Sequence, residues 1–342
     1  MTPWSPLHAQ LHQTLRSHRV PRESSLHPMP TGLLPQQARL LVAVSGGQDS
    51  QCLLRLLVDL QTQWQWQLHT IHGNHRWRED ADANAHFVAQ WAAELGLPHT
   101  EKVATQPLAS EAAARTWRYQ MLAETAIALG CTHVVTGHTA SDRAETLLFN
   151  LLRGSGLDGL QALTWWRSLT PETPHIALVR PLLEITREQT GKFCQDFHLP
   201  IWEDETNRDR TFRRNRLRLD VLPTLRTHFN PQVDATLAQT AEILAAEVAY
   251  LQAAASRVYA QCVVGEQVQR RSLRTEPLAL QRRVIRQWLS DRFAISPQFA
   301  HVEKVMALLT APNRSQTDPF PGGAIAIVDD PWIRLQRSSS RG

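Results

Sequence analysis

Leu40-Leu41-Val42-Ala43-Val44-Ser45-Gly46-Gly47-Gln48-Asp49-Ser50 runs directly into a segment carrying Leu53, Leu54, Leu56, Leu57 and Leu60. The opening apolar run suits a strand buried on both faces of a parallel sheet, and the leucines recur at helical spacing. The polar hexapeptide between them therefore joins a strand to a helix. Its glycines let the backbone approach a bound anion closely. The helix that follows presents free N–H groups and the positive end of its dipole. Ser45, Gly46, Gly47, Gln48, Asp49 and Ser50 are thus candidate phosphate-binding residues, with Ser45 and Ser50 adding hydroxyl donors. A carboxylate beside phosphates repels them unless a cation lies between, so Asp49 points to Mg²⁺. The loop is neither of the two common phosphate-binding patterns: Gly191-Lys192 is followed by Phe193, which excludes G-x-x-x-x-G-K-[ST], and residues 45–50 do not read G-x-G-x-x-G.

Outward from this loop, strands are expected at 67–72, 99–104, 133–137 and 176–179. Helices are expected at 80–95, 110–129, 141–153 and 186–197, with Ser110 as an N-cap and Gly130 beyond a helix end. This alternation predicts an α/β fold, a doubly wound, mostly parallel sheet whose ligands bind at the carboxyl ends of its strands. After residue 206 the strand signal fades. Helices at 233–260, 277–291 and 298–309 and a small strand at 324–328 predict a smaller, mainly helical domain. Residues 1–37 hold one acidic residue, Glu23, and no long apolar core, and they read as a short helix at 7–15 followed by a Pro-rich loop. The expected layout is an N-terminal helical extension (1–38), a catalytic domain (39–206), an arginine-rich linker (207–230) and a mainly helical domain (231–342).

Composition narrows the function classes. No stretch approaches the ~20 apolar residues of a membrane helix, so no membrane association is expected. Cys52, Cys131, Cys194 and Cys262 are far apart with no C-x-x-C pair, which argues against a disulfide scaffold or a cysteine-based zinc finger and fits a reducing compartment such as the cytoplasm. Of 36 basic residues only Lys102, Lys192 and Lys304 are lysine. Arginine makes forked contacts to phosphates and stacks on bases.

The SGGQDS loop resembles the pyrophosphate-binding loop of the PP-loop ATP pyrophosphatase superfamily, the adenine-nucleotide alpha-hydrolases. Four further segments resemble the tRNA(Ile)-lysidine synthetase family within it: 71–78 (IHGNHRWR), 111–119 (EAAAR with Arg118-Tyr119), 137–146 (GHTASDRAET) and 151–160 (LLRGSGLDGL). The likeness continues through Arg180-Pro181-Leu182-Leu183 and residues 203–207 (EDETN) to Arg214-Asn215-Arg216-Leu217-Arg218, covering about half the chain. The family usually carries a small apolar residue where Gly73 stands and Gly-Leu where Arg76-Trp77 stand. Relative to longer members, the chain is expected to lack an extra C-terminal domain.

The resemblance implies ATP-dependent ligation of free L-lysine to the wobble cytidine of a CAU-anticodon tRNA(Ile), with ATP and Mg²⁺ required. It places ATP on residues 45–50 and His72, with Mg²⁺ at Asp49. Asp142 and Glu145, three apart on one helix face, can hold lysine ammonium groups or act as general base. Arg115 can neutralise the adenylate or grip the lysine carboxylate. His72, His75 and His138 lack metal-ligand helix spacing and read as contacts to nucleotide or cytosine, or as ordinary polar loop residues. Arg208, Arg213, Arg214, Arg216 and Arg218 form a track suited to a tRNA backbone, and Arg270, Arg271, Arg274, Arg282, Arg283 and Arg286 a second cluster. Trp202 and Phe212 can stack a base or belong to the core. A thiolase of the same superfamily and a non-catalytic tRNA- or nucleotide-binding protein are the other readings. The oligomeric state stays open, a homodimer included.

Overall fold

β1 (Arg39–Ala43) takes the middle of a six-stranded sheet because it is apolar on both faces. Leu40 and Val42 enter one core and Leu41 the other, all three fully buried. The structure is a computed structural model that describes residues 4–18, 32–106, 108–204, 206, 209–293 and 297–337. Its sheet has the order β3-β2-β1-β4-β6-β5. β2 (Gln67–Asn74), β3 (His99–Val103), β4 (His133–Thr136) and β6 (Ala177–Val179) are parallel, and β5 (Trp166–Ser168) is an antiparallel edge. The edge strand is three residues long, too short for the sequence to show a period. The order reverses between β1 and β4, where Ala43 lies opposite Thr136. The crevice at the carboxyl ends of that pair is where such sheets bind ligands.

The helices follow from their caps and apolar faces. α2 (Gln48–Trp64) buries Leu53, Leu56, Leu57 and Leu60, each fully buried leucine contributing roughly 1.5–3 kcal/mol. α3 (Ala81–Glu94) and α4 (Glu111–Leu129) come next; the Ser110 hydroxyl accepts from the Ala113 N–H, and Gly130 closes α4 in the left-handed conformation. α5 (Ala140–Leu152) opens with a Thr139/Asp142 capping box, and α7 (Arg187–Asp196) with a Thr186/Gln189 one. Between them lies the single turn α6 (Leu157–Leu160).

Two expected boundaries differ from the observed ones. α1 (Pro6–Ser17) is no separate extension: Leu7, Leu11 and Leu15 repeat every four residues and share the core of α2 and α7, and His8 Nε2 lies 2.9 Å from Asp59. Residues 19–31, where the Pro-rich loop was expected, lie outside the described residues. The expected linker is helical: α8 (Arg213–Arg216), a π-helical turn (Leu217–Val221) and α9 (Leu222–His228), with Leu217 and Leu222 buried.

The chain divides into two compact units, Met1–Leu244 and Ala245–Gly342. The division falls inside α10 (Val233–Cys262) because its first turns serve the first unit. Asp234 pairs with Arg226, and Glu242 with Arg143 and the Trp165 indole N–H. The second unit mixes helices with a sheet of order β7-β8-β10-β9, where a single strand was expected. β7 (Val263–Val264), β8 (Gln267–Gln269), β9 (Ala324–Asp329) and β10 (Trp332–Arg337) pair antiparallel. α11 (Arg270–Thr275), α12 (Leu278–Ser290) and α13 (Phe299–Leu308) complete a core around Trp288, Ile285, Val305 and Ile333. Among the described residues no helix is long and apolar enough to cross a membrane.

Candidate active site

A cleft of about 420 Å³ opens at the β1/β4 switch point, lined by the loop after β1, the carboxyl ends of β2 and β4, and residues of α4, α5 and α7. Gly46 turns the loop with φ +87°, and a Cβ there would lie 2.6 Å from Asn84 Oδ1, so only glycine fits. The loop is fastened from outside: Asn84 Nδ2 donates to the Ser45 carbonyl at 3.2 Å, and the Trp202 N–H to the Gly46 carbonyl at 2.9 Å. Inside, the Ser45 N–H donates to Ser50 Oγ at 3.2 Å, and Ser50 Oγ donates to the Gly47 carbonyl at 2.8 Å. α2 starts at Gly47 with no side-chain cap, which leaves its first N–H groups for an anion.

Gly137, at the end of β4, lets that strand touch the start of α2. A Cβ would sit 2.9 Å from the Asp49 carbonyl oxygen and 3.1 Å from Ser50 Cα, both backbone atoms that cannot swing away. Such overpacking costs about 1–3 kcal/mol. Gly137→Ala is therefore expected to lower ATP affinity about tenfold or more. Titration calorimetry checks this, and an unchanged affinity would show that strand and loop part without disturbing the site.

Asp49 faces the cleft but is held from α7. Its Oδ2 accepts from Arg187 Nη1 at 3.0 Å and its Oδ1 from the Thr190 hydroxyl. Gln48, expected on phosphate, turns its amide to the same helix, donating to the Arg187 carbonyl at 2.7 Å and to Thr190 Oγ1 at 2.9 Å. Burial pushes the Asp49 carboxyl above its usual range, and Arg187 pulls partly against it. With Gln48 Nε2 also 3.5 Å from Oδ1, the carboxylate has three partners and still keeps a free lone pair. A buried carboxylate beside a phosphate loop fits Mg²⁺, which binds one or two carboxylates and otherwise the substrate phosphates.

Three histidines line the same cleft. His72 Nδ1 lies 2.8 Å from the Val44 carbonyl, which can only accept, so the proton sits on Nδ1 and Nε2 is left as an acceptor. Burial holds His72 and His75 below the ordinary histidine range and brings His138 down to about 3. All three are therefore neutral near pH 7. Arg76 stands where the family usually has glycine and keeps the left-handed backbone a glycine would take, with φ +53°.

Asp142 and Glu145 do share one helix face, and the arginine-rich segment reaches them. Thr139 donates to Asp142 Oδ2 through its N–H and its hydroxyl, both at 2.9 Å, and Arg218 Nη2 donates to Oδ1 at 3.1 Å. Burial works against charge on Asp142, but Arg218 and the Thr139 N–H favour the charged form and the carboxyl stays low. Glu145 is 1% exposed and takes a fork from Arg218, Nε to Oε1 at 2.6 Å and Nη2 to Oε2 at 3.0 Å. Arg214 Nε lies 3.5 Å from Glu145 Oε2. The π-helical turn Leu217–Val221 carries Arg218, and such turns recur at functional sites.

Arg115 does not line the cleft; Arg118, one turn on, does. Arg213 and Arg216 are exposed, and Arg208 lies outside the described residues. Trp202 lines the cleft and packs on Phe87 with ring centroids 5.5 Å apart, whereas Phe212 is 46% exposed. The sequence reading missed Arg187, Thr190 and Asn84, and quoted Arg78 only as part of the 71–78 segment. Arg78 bridges Asp80 at 3.0 Å and Asp204 at 2.6 Å. The capping box at Thr186, just beyond Arg180-Pro181-Leu182-Leu183, is the one local signal that could have drawn attention to Arg187 and Thr190.

Comparison with known proteins gives concordant matches. A family model described as a PP-loop domain matches residues 19–225, and one described as a TilS substrate binding domain matches residues 269–337. A tRNA(Ile)-lysidine synthase of Nostoc sp. is 51% identical, covering 99% of this chain and 99% of its own. Another, from Synechococcus sp., is 48% identical over 97% of each chain. Among solved structures, a U34-tRNA thiolase from Methanococcus maripaludis superposes with a TM-score of 0.54 at 17% identity, covering 69% of this chain and 76% of that one, a likeness of fold.

Proposed function

The chain belongs to the tRNA(Ile)-lysidine synthetase family, and on that premise we propose that it ligates free L-lysine to C2 of the wobble cytidine of tRNA(Ile) with a CAU anticodon, consuming ATP. The observation that carries this reading is the convergence of two groups on one cleft: the 45–50 loop at the start of α2, and Asp142 at the start of α5, which Arg218 links to the buried Glu145 behind it. The first suits a polyphosphate and the second an ammonium group. In the first step cytosine O2 attacks the α phosphate and the bond to pyrophosphate breaks. In the second the lysine amine attacks C2 and the C2–O bond to AMP breaks.

Uncapped N–H groups of α2 and the Ser45 hydroxyl hold the departing pyrophosphate. Mg²⁺, when bound at Asp49, shields the negative oxygens that the cytosine must approach. The His72 Nε2 acceptor suits an amino group of the nucleotide. A nucleophilic amine must be neutral, and one of the two α5 carboxylates takes its proton. The second unit, which carries the substrate-binding family match, serves to grip the tRNA, and the cytoplasm supplies all three substrates.

The thiolase reading fits less well. Cys52, Cys131, Cys194 and Cys262 are all buried. Burial raises the Cys52, Cys131 and Cys262 thiols, the opposite of what a sulfur nucleophile requires.

Nucleoside mass spectrometry tests the proposal directly. Incubation with Mg-ATP, lysine and a CAU-anticodon tRNA(Ile) transcript is expected to add lysine minus water to the wobble cytidine, and to leave a methionine tRNA unchanged. Pyrophosphate release without that mass gain would reopen the identity of the nucleophile. Neither product, from folded protein, would favour a binding protein.

A further inference from the structure

Four of the seven arginines between residues 208 and 226 are matched by carboxylates of the protein itself. Arg210 pairs with Asp220, Arg226 with Asp234, and Arg218 and Arg214 with Asp142 and Glu145. Arginines distant in sequence gather elsewhere with no such compensation. Arg115 and Arg167 lie over the Tyr119 ring, 5.1 and 4.7 Å from its centroid. Arg180, 2% exposed, donates through Nη1 to the Thr164 carbonyl, and its charge acts on the same phenol. Arg118 joins them from the cleft side. Among the described residues none of these four arginines forms an ion pair, and burial lowers the proton affinity of Arg180.

We propose that the Arg115/Arg167 pair on Tyr119, backed by Arg180, is a docking site for RNA backbone phosphate, taking the strand beside the cytidine that enters the cleft. This rests on the reading of the protein as a tRNA-modifying enzyme. Like charges crowded together repel, and a polyanion relieves that repulsion in the bound state. Arg167 is fixed over the ring by Nη1, which donates to the Ser168 and Leu169 carbonyls, and its remaining donors and those of Arg115 suit contacts to phosphate oxygens. The site stands at the same end of the sheet as the nucleotide cleft: α4 follows β3, Arg180 follows β6, and Arg118 borders both groups. A phosphate held there would fix the strand while the neighbouring base is presented to ATP.

The test is tRNA affinity as a function of salt for full-length wild type, Arg115→Gln/Arg167→Gln and Arg210→Gln. Each lost phosphate contact lowers the slope of log affinity against log salt by about 0.7–0.9. The double variant is expected to lose about 1.4–1.8 from the slope and bind tRNA about tenfold or more weakly near 0.15 M salt. Arg210→Gln should keep the wild-type slope. The lysine variants Arg115→Lys/Arg167→Lys should restore most of the slope and less of the affinity, and ATP affinity measured on each sample reports an intact fold. An unchanged slope in the double glutamine variant overturns the proposal, as does a raised KM for lysine with tRNA binding intact, which would assign the cluster to the lysine carboxylate. Wild type that binds no CAU-anticodon tRNA at all would instead fail the tRNA-modification reading, and the docking site with it.

Discussion

Asp49→Asn is expected to reduce pyrophosphate release by about 10²–10³-fold, the range seen when one preorganised electrostatic group is removed from a reacting centre. The side chain keeps its size and loses its charge. Asp49 also ties the loop to α7, through Arg187 Nη1 at 3.0 Å and the Thr190 hydroxyl. An asparagine oxygen can still accept from Arg187, and its amide nitrogen can donate to the Thr190 hydroxyl, which turns to accept. The ties to α7 can therefore survive while the charge proposed to hold the cation is lost. The proposed tRNA surfaces lie on other elements, so tRNA affinity should change by less than about twofold, since surface-remote substitutions usually stay within about 0.5 kcal/mol. Single-turnover pyrophosphate release beside tRNA filter binding separates the two effects. Wild-type turnover would remove Asp49 from the metal, and equal loss of tRNA binding would point to a disturbed fold.

The fold was legible where local chemistry and long-range packing agree. β1 is apolar at every central position because both its faces are covered, and Ser110, Thr139 and Thr186 accept backbone N–H groups where their helices begin. Each of those signals is complete within a few residues. β5, β7 and β8 have two or three residues each, fewer than an alternation needs to become visible, and they exist because neighbouring strands offer them partners. The arginine-rich stretch between residues 207 and 230 failed in the opposite way. Its composition suggests a solvated linker, yet Leu217 and Leu222 are buried and Arg218 and Arg226 meet carboxylates from α5 and α10. No local pattern encodes those partners.

The same distinction runs through the site. Ser45 to Ser50 and the Asp142/Glu145 pair are contiguous motifs, and the structure brings the loop and Asp142 to one cleft, with Glu145 buried behind Arg218. Arg187 and Thr190 hold Asp49 from 138 and 141 residues away, a relation that only the packing of α2 against α7 creates. The Tyr119 cluster is assembled from α4, β5 and the residue after β6, one arginine at a time. Dense charge in the sequence marked a run in which Arg210, Arg214, Arg218 and Arg226 pair with carboxylates, and sparse charge supplied the Tyr119 cluster.

Glu145→Gln should leave adenylation close to wild type and raise the KM for lysine about 10–100-fold, from the loss of about 1.5–3 kcal/mol carried by a hydrogen bond to a charged group. Glu145 is fully buried and gripped by Arg218, so an ammonium group reaches it only by sharing or displacing that guanidinium. Lysine offers what such an exchange needs, a compact cation with several donors. Asp142, already accepting from Thr139 and Arg218, stays ionised and can hold Arg218 when Glu145 is neutral. Its own capping bond also orients α5, so its removal would disturb more than lysine binding. Glu145 is the cleaner probe for that reason. The measurement is pyrophosphate release and lysidine formation on the same sample across a range of lysine concentrations. Parallel loss of both would mean that Glu145 serves through Arg218 to position the phosphate chemistry, and an unchanged lysine dependence would leave it as the anchor of the arginine-rich helix alone.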